Sequence, residues 1–437
     1  MGFQRISSFL DEYRGIPREA NLLIVSSLFL WAVVGLFFIT LQVFLLLEGV
    51  SFATSGLILT VTGITAASST LLFGALADRY GRKRFVITGG ILASMSLAAF
   101  GLIPVNTPWG LPSLFAAAVL AGLAEAMYAS SWGAMLAEKA TNEKRTSAFS
   151  LSFFIATISA AVGGFGPSIL GPLDSYFGID IVTGHRYLFV TVAAISLIGP
   201  AFVLRISESD AHRPHGDGLR LIPQKSRRIV AKYSVAGILI ALGAGMVVPL
   251  VPGWSYLRFG VTDEVSAPIL GGVNSLVMGV ANLATPRLAR RFGTVRTIVL
   301  TQASSTVFLF SMPFATSFAV ASSIFVVRSM LMMMSNPTEQ SLLMGLVAEE
   351  ERSTASAITA ALWRLPNSFS TAVGAYLMGL GGFYLSAPFF LCTALYLGSI
   401  SYFWFAFKDV RLPEEKILAP IAASEPFAKD KRPGRGE

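Results

Sequence analysis

Twelve apolar runs, most of them near the ~20 residues a helix needs to cross a hydrocarbon core, dominate this chain. They cover 21–47, 54–76, 85–103, 111–137, 148–170 and 187–204, then 233–256, 266–285, 297–314, 318–347, 354–380 and 385–407, and are numbered spans 1 to 12 in that order. Lipid offers no water to satisfy backbone N–H and C=O groups, so each run is expected to be a helix. With 54% hydrophobic and only 13% charged among 437 residues, the chain lacks the polar surface of a soluble globular fold. The same numbers exclude disorder, and the single cysteine, Cys392, excludes a disulfide framework. The reading is an all-α integral membrane protein of twelve transmembrane helices.

Charge placement gives the orientation. Of 33 basic residues, all but Arg186, Arg258, Arg328 and Arg364 fall in segments on the same side as both termini. Such a bias marks that side as cytoplasmic and explains the net +8 without any nucleic-acid partner. The expected location is the cell membrane, multi-pass, with both ends cytoplasmic. The first run is too long for a signal-peptide core and lacks a small-residue cleavage site, so it is expected to remain as span 1. Before it, Phe3, Ile6, Leu10 and Tyr13 share one face at helical spacing, as in a short interfacial helix.

Six spans lie on each side of one long polar stretch. The expected organisation is a cytoplasmic N-terminal segment 1–20, a six-helix bundle 21–205, a linker 206–232, a second bundle 233–407 and a cytoplasmic tail 408–437. The linker holds His212 and His215 but no third ligand at a supporting spacing, and His185 is placed in a loop on the far side. No metal, cofactor or enzymatic chemistry is expected. The halves read as a repeat. Placing Gly74 on Pro286 aligns Leu76 with Leu288, Ala77 with Ala289, Arg79 with Arg291, Tyr80 with Phe292, Gly81 with Gly293 and Arg84 with Arg296. A second echo pairs Glu143-Lys-Arg145 with Glu350-Glu-Arg352. Internal repeats in a helical membrane protein point to a transporter whose site lies where the halves meet.

The segment 74–84, Gly-Ala-Leu-Ala-Asp-Arg-Tyr-Gly-Arg-Lys-Arg, resembles the signature loop of the major facilitator superfamily at nearly every position, and the six-plus-six plan covers the chain. On residue chemistry alone, Gly81 allows a tight turn, Gly74 allows close helix approach, and Asp78 suits the free N–H groups of a neighbouring helix start. The resemblance implies two pseudo-symmetric six-helix bundles. It also implies a conformational latch formed by Gly74, Asp78, Arg79, Gly81 and Arg82, with Asp78 meeting span 11 near 353–356.

Four ionisable residues remain at depth: Glu125, Arg328, Glu339 and Arg364. A charge there costs a few kcal/mol or more, so each needs a partner or a function. At 1.5 Å per residue, their depths from the terminal side are ~18 Å for Glu125, ~12 Å for Glu339, ~15 Å for Arg364 and ~28 Å for Arg328. Glu339 and Arg364 lie on sequential spans at similar depth and are expected to pair. Glu125, with no basic residue on its own helix, is the better proton carrier. The resemblance implies a cavity lined by spans 1, 4, 7 and 10. That adds Trp31, Phe38 and Gln42, Tyr128 and Trp132, Met246 and Trp254, and Asn336 as wall residues, with helix breaks at Pro249, Pro252 and Asn336-Pro337.

Gly163-Gly164-Phe-Gly166-Pro167 through Gly171-Pro172 on span 5 resembles the glycine–proline motif of drug–proton antiporters, interrupted by Leu170. Ala118 stands where those antiporters carry an arginine four residues before a glycine. The function expected is secondary active transport of a small organic solute by alternating access, as proton-coupled efflux, in a monomer within the lipid bilayer. The alternatives are proton-coupled uptake of an organic anion and, from another class, a non-transporting membrane sensor or lipid-handling protein.

Overall fold

A computed structural model describes residues 15–141, 143–207, 225–348 and 351–410 of the chain. The expected N-terminal interfacial helix, most of the linker with His212 and His215, and the tail beyond 410 lie outside the described residues. Every regular element among the described residues is helical. Spans 1 to 4 are Arg18–Leu47, Phe52–Tyr80, Arg82–Leu102 and Gly110–Lys139. Span 5 runs through Arg145–Phe165, a tighter turn Gly166–Ile169, and Leu170–Phe177. Span 6 comprises Ile181–Ser196 and Ile198–Leu204.

Span 7 comprises Arg227–Val247 and Val251–Phe259, broken at Val248–Leu250 where Pro249 removes a helix donor. Span 8 begins at Asp263, widens to a π-helical stretch over Pro268–Val273 and continues as Asn274–Phe292. Span 9 is Thr294–Ser311, and span 12 is Ala387–Phe407. Span 10 splits into Phe318–Met333 and Ser335–Leu346, just before Asn336-Pro337. Span 11 is Arg352–Gly379. Among the described residues, eleven helices are long and apolar enough to cross a membrane by length and composition. Span 11 falls outside that set because Arg364, Asn367, Ser368, Ser370 and Thr371 interrupt its apolar residues. The chain is a multi-pass membrane protein.

The helices pack both within and between the two halves of the chain. Within the first half, span 1 packs on span 5, span 2 on span 4, and span 3 on span 6. Within the second, span 7 packs on spans 11 and 12, and span 9 on spans 10 and 12. Two contacts join the halves most closely, span 2 on span 11 and span 5 on span 8. Span 11, with its polar residues, therefore sits at the seam between the halves. Gly81 and Gly293, aligned in the repeat, each form a one-residue turn between helices, with φ of 102° and 84°. Only glycine adopts that conformation without strain.

Spans 5 and 8 cross where both carry glycine. A Cβ on Gly164 would lie 2.6 Å from the Gly272 nitrogen, so the span 5 glycines serve close packing. The expectation for Gly74 is corrected. A Cβ there would meet only the Ser130 side chain at an ordinary 3.8 Å, because spans 2 and 4 approach most closely elsewhere, at Gly122.

Candidate functional site

A cavity of about 670 Å³ opens between the halves. Its walls include Phe38 on span 1, Thr62 and Ala66 on span 2, and Glu125 on span 4. From the other half come Tyr233 and Pro249, Gln302, Arg328, Asn336 and Glu339, Arg364, and Tyr396. Tyr233, Ser356 and Phe403 lie near helix ends on the side of the termini, so the cavity extends toward that side.

The opposite, distal side is sealed. There Gly164 meets Gly271 and Gly272, Gly56 meets Ala375, and Gly253 packs on Gln42. There too, His185 of span 6 and Asp263 of span 8 pair across the halves, both 0% exposed. This pair corrects the placement of His185 in a loop: helix Ile181–Ser196 carries it. Asp180 caps that helix, accepting from the Thr183 N–H at 3.0 Å, and the Thr183 hydrogen bonds hold its exposed carboxyl below the usual carboxylate range.

The four charges at depth all line the cavity, but in different pairings from those expected. Arg364 donates to Glu125, an ion pair joining span 11 to span 4 across the seam, with side chains 37% and 32% exposed. The expected Glu339–Arg364 pair is thereby corrected. Span 11 packs on spans 2 and 7, so Arg364 faces the opposite half. Glu339 instead accepts from Gln302 Nε2 at 2.5 Å and from the Tyr233 hydroxyl at 3.4 Å, neutral donors from spans 9 and 7. No ion pair to Glu339 occurs among the described residues.

Arg328 is 4% exposed and donates from Nη2 to the Tyr396 hydroxyl at 2.7 Å, with its guanidinium 5.7 Å from that ring. Its Nε has no hydrogen-bond partner and no carboxylate pairs with it among the described residues. A desolvated cation with an unused donor at a cavity wall is suited to an anionic group. Gln302, Tyr233 and Tyr396 complete these sites. Sequence reasoning passes over them because each is one polar residue among many, identified only by the charge it faces.

The remaining expected wall residues divide. Phe38 and Asn336 line the cavity; Trp31, Gln42, Tyr128, Trp132, Met246 and Trp254 are not among its lining residues. Trp254 is buried against Phe389 at 4.9 Å between ring centroids, and Gln42 donates to Ser55 at 3.4 Å. Tyr128 and Trp132 stack at 6.3 Å, and Trp132 Nε1 donates to the Leu23 carbonyl at 3.3 Å, tying span 4 to span 1. Trp31 is 38% exposed on span 1. Tyr128, Trp132 and Trp254 thus pack against neighbouring helices rather than line the cavity.

At the signature loop, Arg82 donates to Asp78 Oδ1 at 3.0 and 2.7 Å, reaches the Ala134 carbonyl at 3.4 Å and lies 3.6 Å from Glu138. Arg79 lies over the Tyr80 ring at 5.4 Å. The expected contact of Asp78 with 353–356 falls partly on Ser353 and Thr354, whose side chains lie outside the described residues.

With this geometry, the likenesses to known proteins are specific. The family model of the Major Facilitator Superfamily matches residues 23–371. A Na(+), Li(+), K(+)/H(+) antiporter of Planococcus maritimus is 31% identical over 147 residues, 33% of this chain and 32% of that protein. Multidrug resistance protein MdtH of Shigella flexneri is 26% identical over 197 residues, 45% of this chain and 44% of that protein. The matched stretches thus span well under two thirds of these relatives. Among solved structures, the nucleoside transporter NupG matches with a TM-score of 0.67 at 14% identity, covering 90% of this chain and all of that one. A D-xylose-proton symporter matches with a TM-score of 0.70 at 15% identity, covering 90% of this chain and 98% of that one.

Proposed function

The chain belongs to the Major Facilitator Superfamily, and we propose that it is a secondary active transporter that exports a small organic solute in exchange for protons by alternating access. One observation carries this reading: a cavity between the halves brings together an ion pair that crosses the seam, a carboxyl held by neutral donors and an unpaired guanidinium. Breaking a cross-seam pair and loading a carboxyl are the events that a rocking, proton-coupled cycle requires. The state described has the distal side sealed, which corresponds to the inward-facing state when the termini are cytoplasmic. In this reading Glu339 carries the proton, because its hydrogen-bond partners are neutral whether it is charged or not. Arg328 receives the anionic or dipolar end of the solute, Met332 and Met333 supply an adaptable apolar wall, and Glu125–Arg364 holds the halves. The antiporter and multidrug-resistance relatives support export against a cation gradient.

A second reading, proton-coupled uptake of an organic anion, is favoured specifically by the unpaired Arg328. Proteoliposomes loaded with a solute panel, with and without an imposed pH gradient, separate the two. Export requires solute movement opposite to the proton flow, and uptake requires movement with it. Flux that ignores the gradient would refute proton coupling in either direction.

A further inference from the structure

The His185–Asp263 pair stands apart from the cavity chemistry. His185 Nε2 lies 2.9 and 2.8 Å from the two Asp263 carboxyl oxygens, and Nδ1 lies 2.7 Å from the Ile181 carbonyl. A carbonyl only accepts, so Nδ1 carries a hydrogen. The contact of Nε2 with the carboxyl then needs one more proton, held either by the ring or by the acid. Without it, an imidazole lone pair would face a carboxylate in a site from which water is excluded, an uncompensated buried charge. Both side chains are fully buried, and they belong to opposite halves.

We infer that His185 and Asp263 form a proton-binding latch that seals the distal side only while it holds one proton more than the separated side chains hold in water. When the halves part, both groups hydrate. A free imidazole releases its proton above a pH of about 6.5, while a free carboxyl is ionised above about 4. The proton leaves to water on the distal side and returns from it on closing. It therefore adds nothing to the transported stoichiometry, but makes the pH of that compartment an input to the gate. By linkage, acid favours the sealed state, and the sealed-to-open ratio falls up to tenfold per pH unit above about 6.5.

The surroundings leave this pair as the titrating element. Phe44 and Phe189 flank the imidazole, with ring centroids at 5.5 and 6.3 Å. Arg186 is taken by Glu48, bonded at 3.0 and 2.5 Å, and lies over Phe44 rather than over the pair. Glu264, the neighbour of Asp263, accepts from the Thr262 hydroxyl at 3.0 Å, while its buried second oxygen has no partner. The other charges on packed elements, Asp174, Asp180 and Arg258, are exposed. The Asp180 carboxyl, already below its ordinary range, does not titrate near neutrality.

The inference rests only on the rocking of two halves, not on the solute or the coupling. Its test uses the full chain in nanodiscs with spin labels at Ser175→Cys and Leu257→Cys, exposed distal positions on opposite halves, while Cys392 stays buried. Between pH 6.5 and 8.5 the sealed-to-open ratio is expected to fall roughly 50-fold at full linkage. In His185→Gln, and separately in the isosteric Asp263→Asn, the ratio should be flat over the same range. A flat or rising ratio in the unmodified pair overturns the latch, as does an unchanged fall in either variant. If neither variant folds, the direction of the parent response alone decides. A label distance fixed at one value, even with solute panel and pH varied, instead removes the rocking reading on which the latch stands.

Discussion

Replacing Glu125 by glutamine, Arg364 by glutamine, and both together measures what the cross-seam ion pair contributes to the sealed state. Two unit charges in contact attract by about 4 kcal/mol at an effective dielectric constant near 20. Both side chains are about one third exposed, at 32% and 37%, so water screens part of that attraction, and holding two long side chains costs entropy. A net coupling of about 1–2 kcal/mol remains, between the values typical of exposed and of buried pairs. That is roughly a 5- to 30-fold change in the sealed-to-open ratio. The assay is the distance distribution of the Ser175→Cys and Leu257→Cys label pair, read at one pH for parent, singles and double. Each single substitution should lower the sealed population, and the double should lower it by less than the sum of the two. Additivity within about 0.3 kcal/mol would show that the pair does not couple the halves, and the role given to it would fail.

Arg328→Ala should weaken binding of an anionic solute about 10- to 100-fold, the loss of one charge-assisted hydrogen bond, while a neutral analogue of the same shape changes by less than about 2-fold; equilibrium binding to the purified protein checks both. Glu339→Gln keeps the volume and the Gln302 contact but removes the titratable group, so pH-driven accumulation should fall at least about tenfold while solute exchange at equal pH persists. Gly164→Val places a side chain into the Gly271–Gly272 backbone at 2.6 Å and should cost about 1–3 kcal/mol of the sealed state, seen as a shift of the distal label pair toward longer distances. Gly81→Ala forces φ of 102° on a residue with a Cβ and should destabilise the chain by about 1 kcal/mol or more, measured as a lower thermal midpoint in detergent.

Whatever is local in the sequence is legible there. Apolar runs give the spans, Pro249 and Asn336-Pro337 mark the helix breaks, and the 74–84 and 286–296 alignment puts Gly81 and Gly293 at equivalent turns. What escapes is azimuth. Depth along a helix is a count of residues, but the direction a side chain faces depends on which helices pack together. Depth alone therefore matches Arg364 with the sequential neighbour Glu339, although Glu125 lies at nearly the same depth on the helix it meets. His185 escapes differently: Gly184, His185 and Arg186 lower local hydropathy enough to start span 6 at 187. A buried ion pair is invisible to hydropathy when its neutralising partner is 78 residues away on another span.

The placement of the charges orders the proposed cycle. Arg82 binds Asp78 and Glu138 within one half, bonds that rocking need not break. Glu125–Arg364 and His185–Asp263 both join the halves, one within the cavity and one beyond the glycine crossing. Opening the distal side must separate the second and strain the first, and the two differ in what replaces the lost partner. Glu125 and Arg364 face the cavity, where a solute or water can take over each bond as it breaks. His185 and Asp263 face each other, with the Ile181 carbonyl on the far side of a ring flanked by aromatics, so their separation has to admit water and release a proton in one step. The cavity pair is thus the one a solute can bias, and the distal pair the one that pH can bias, which gives a single rocking motion two independent inputs.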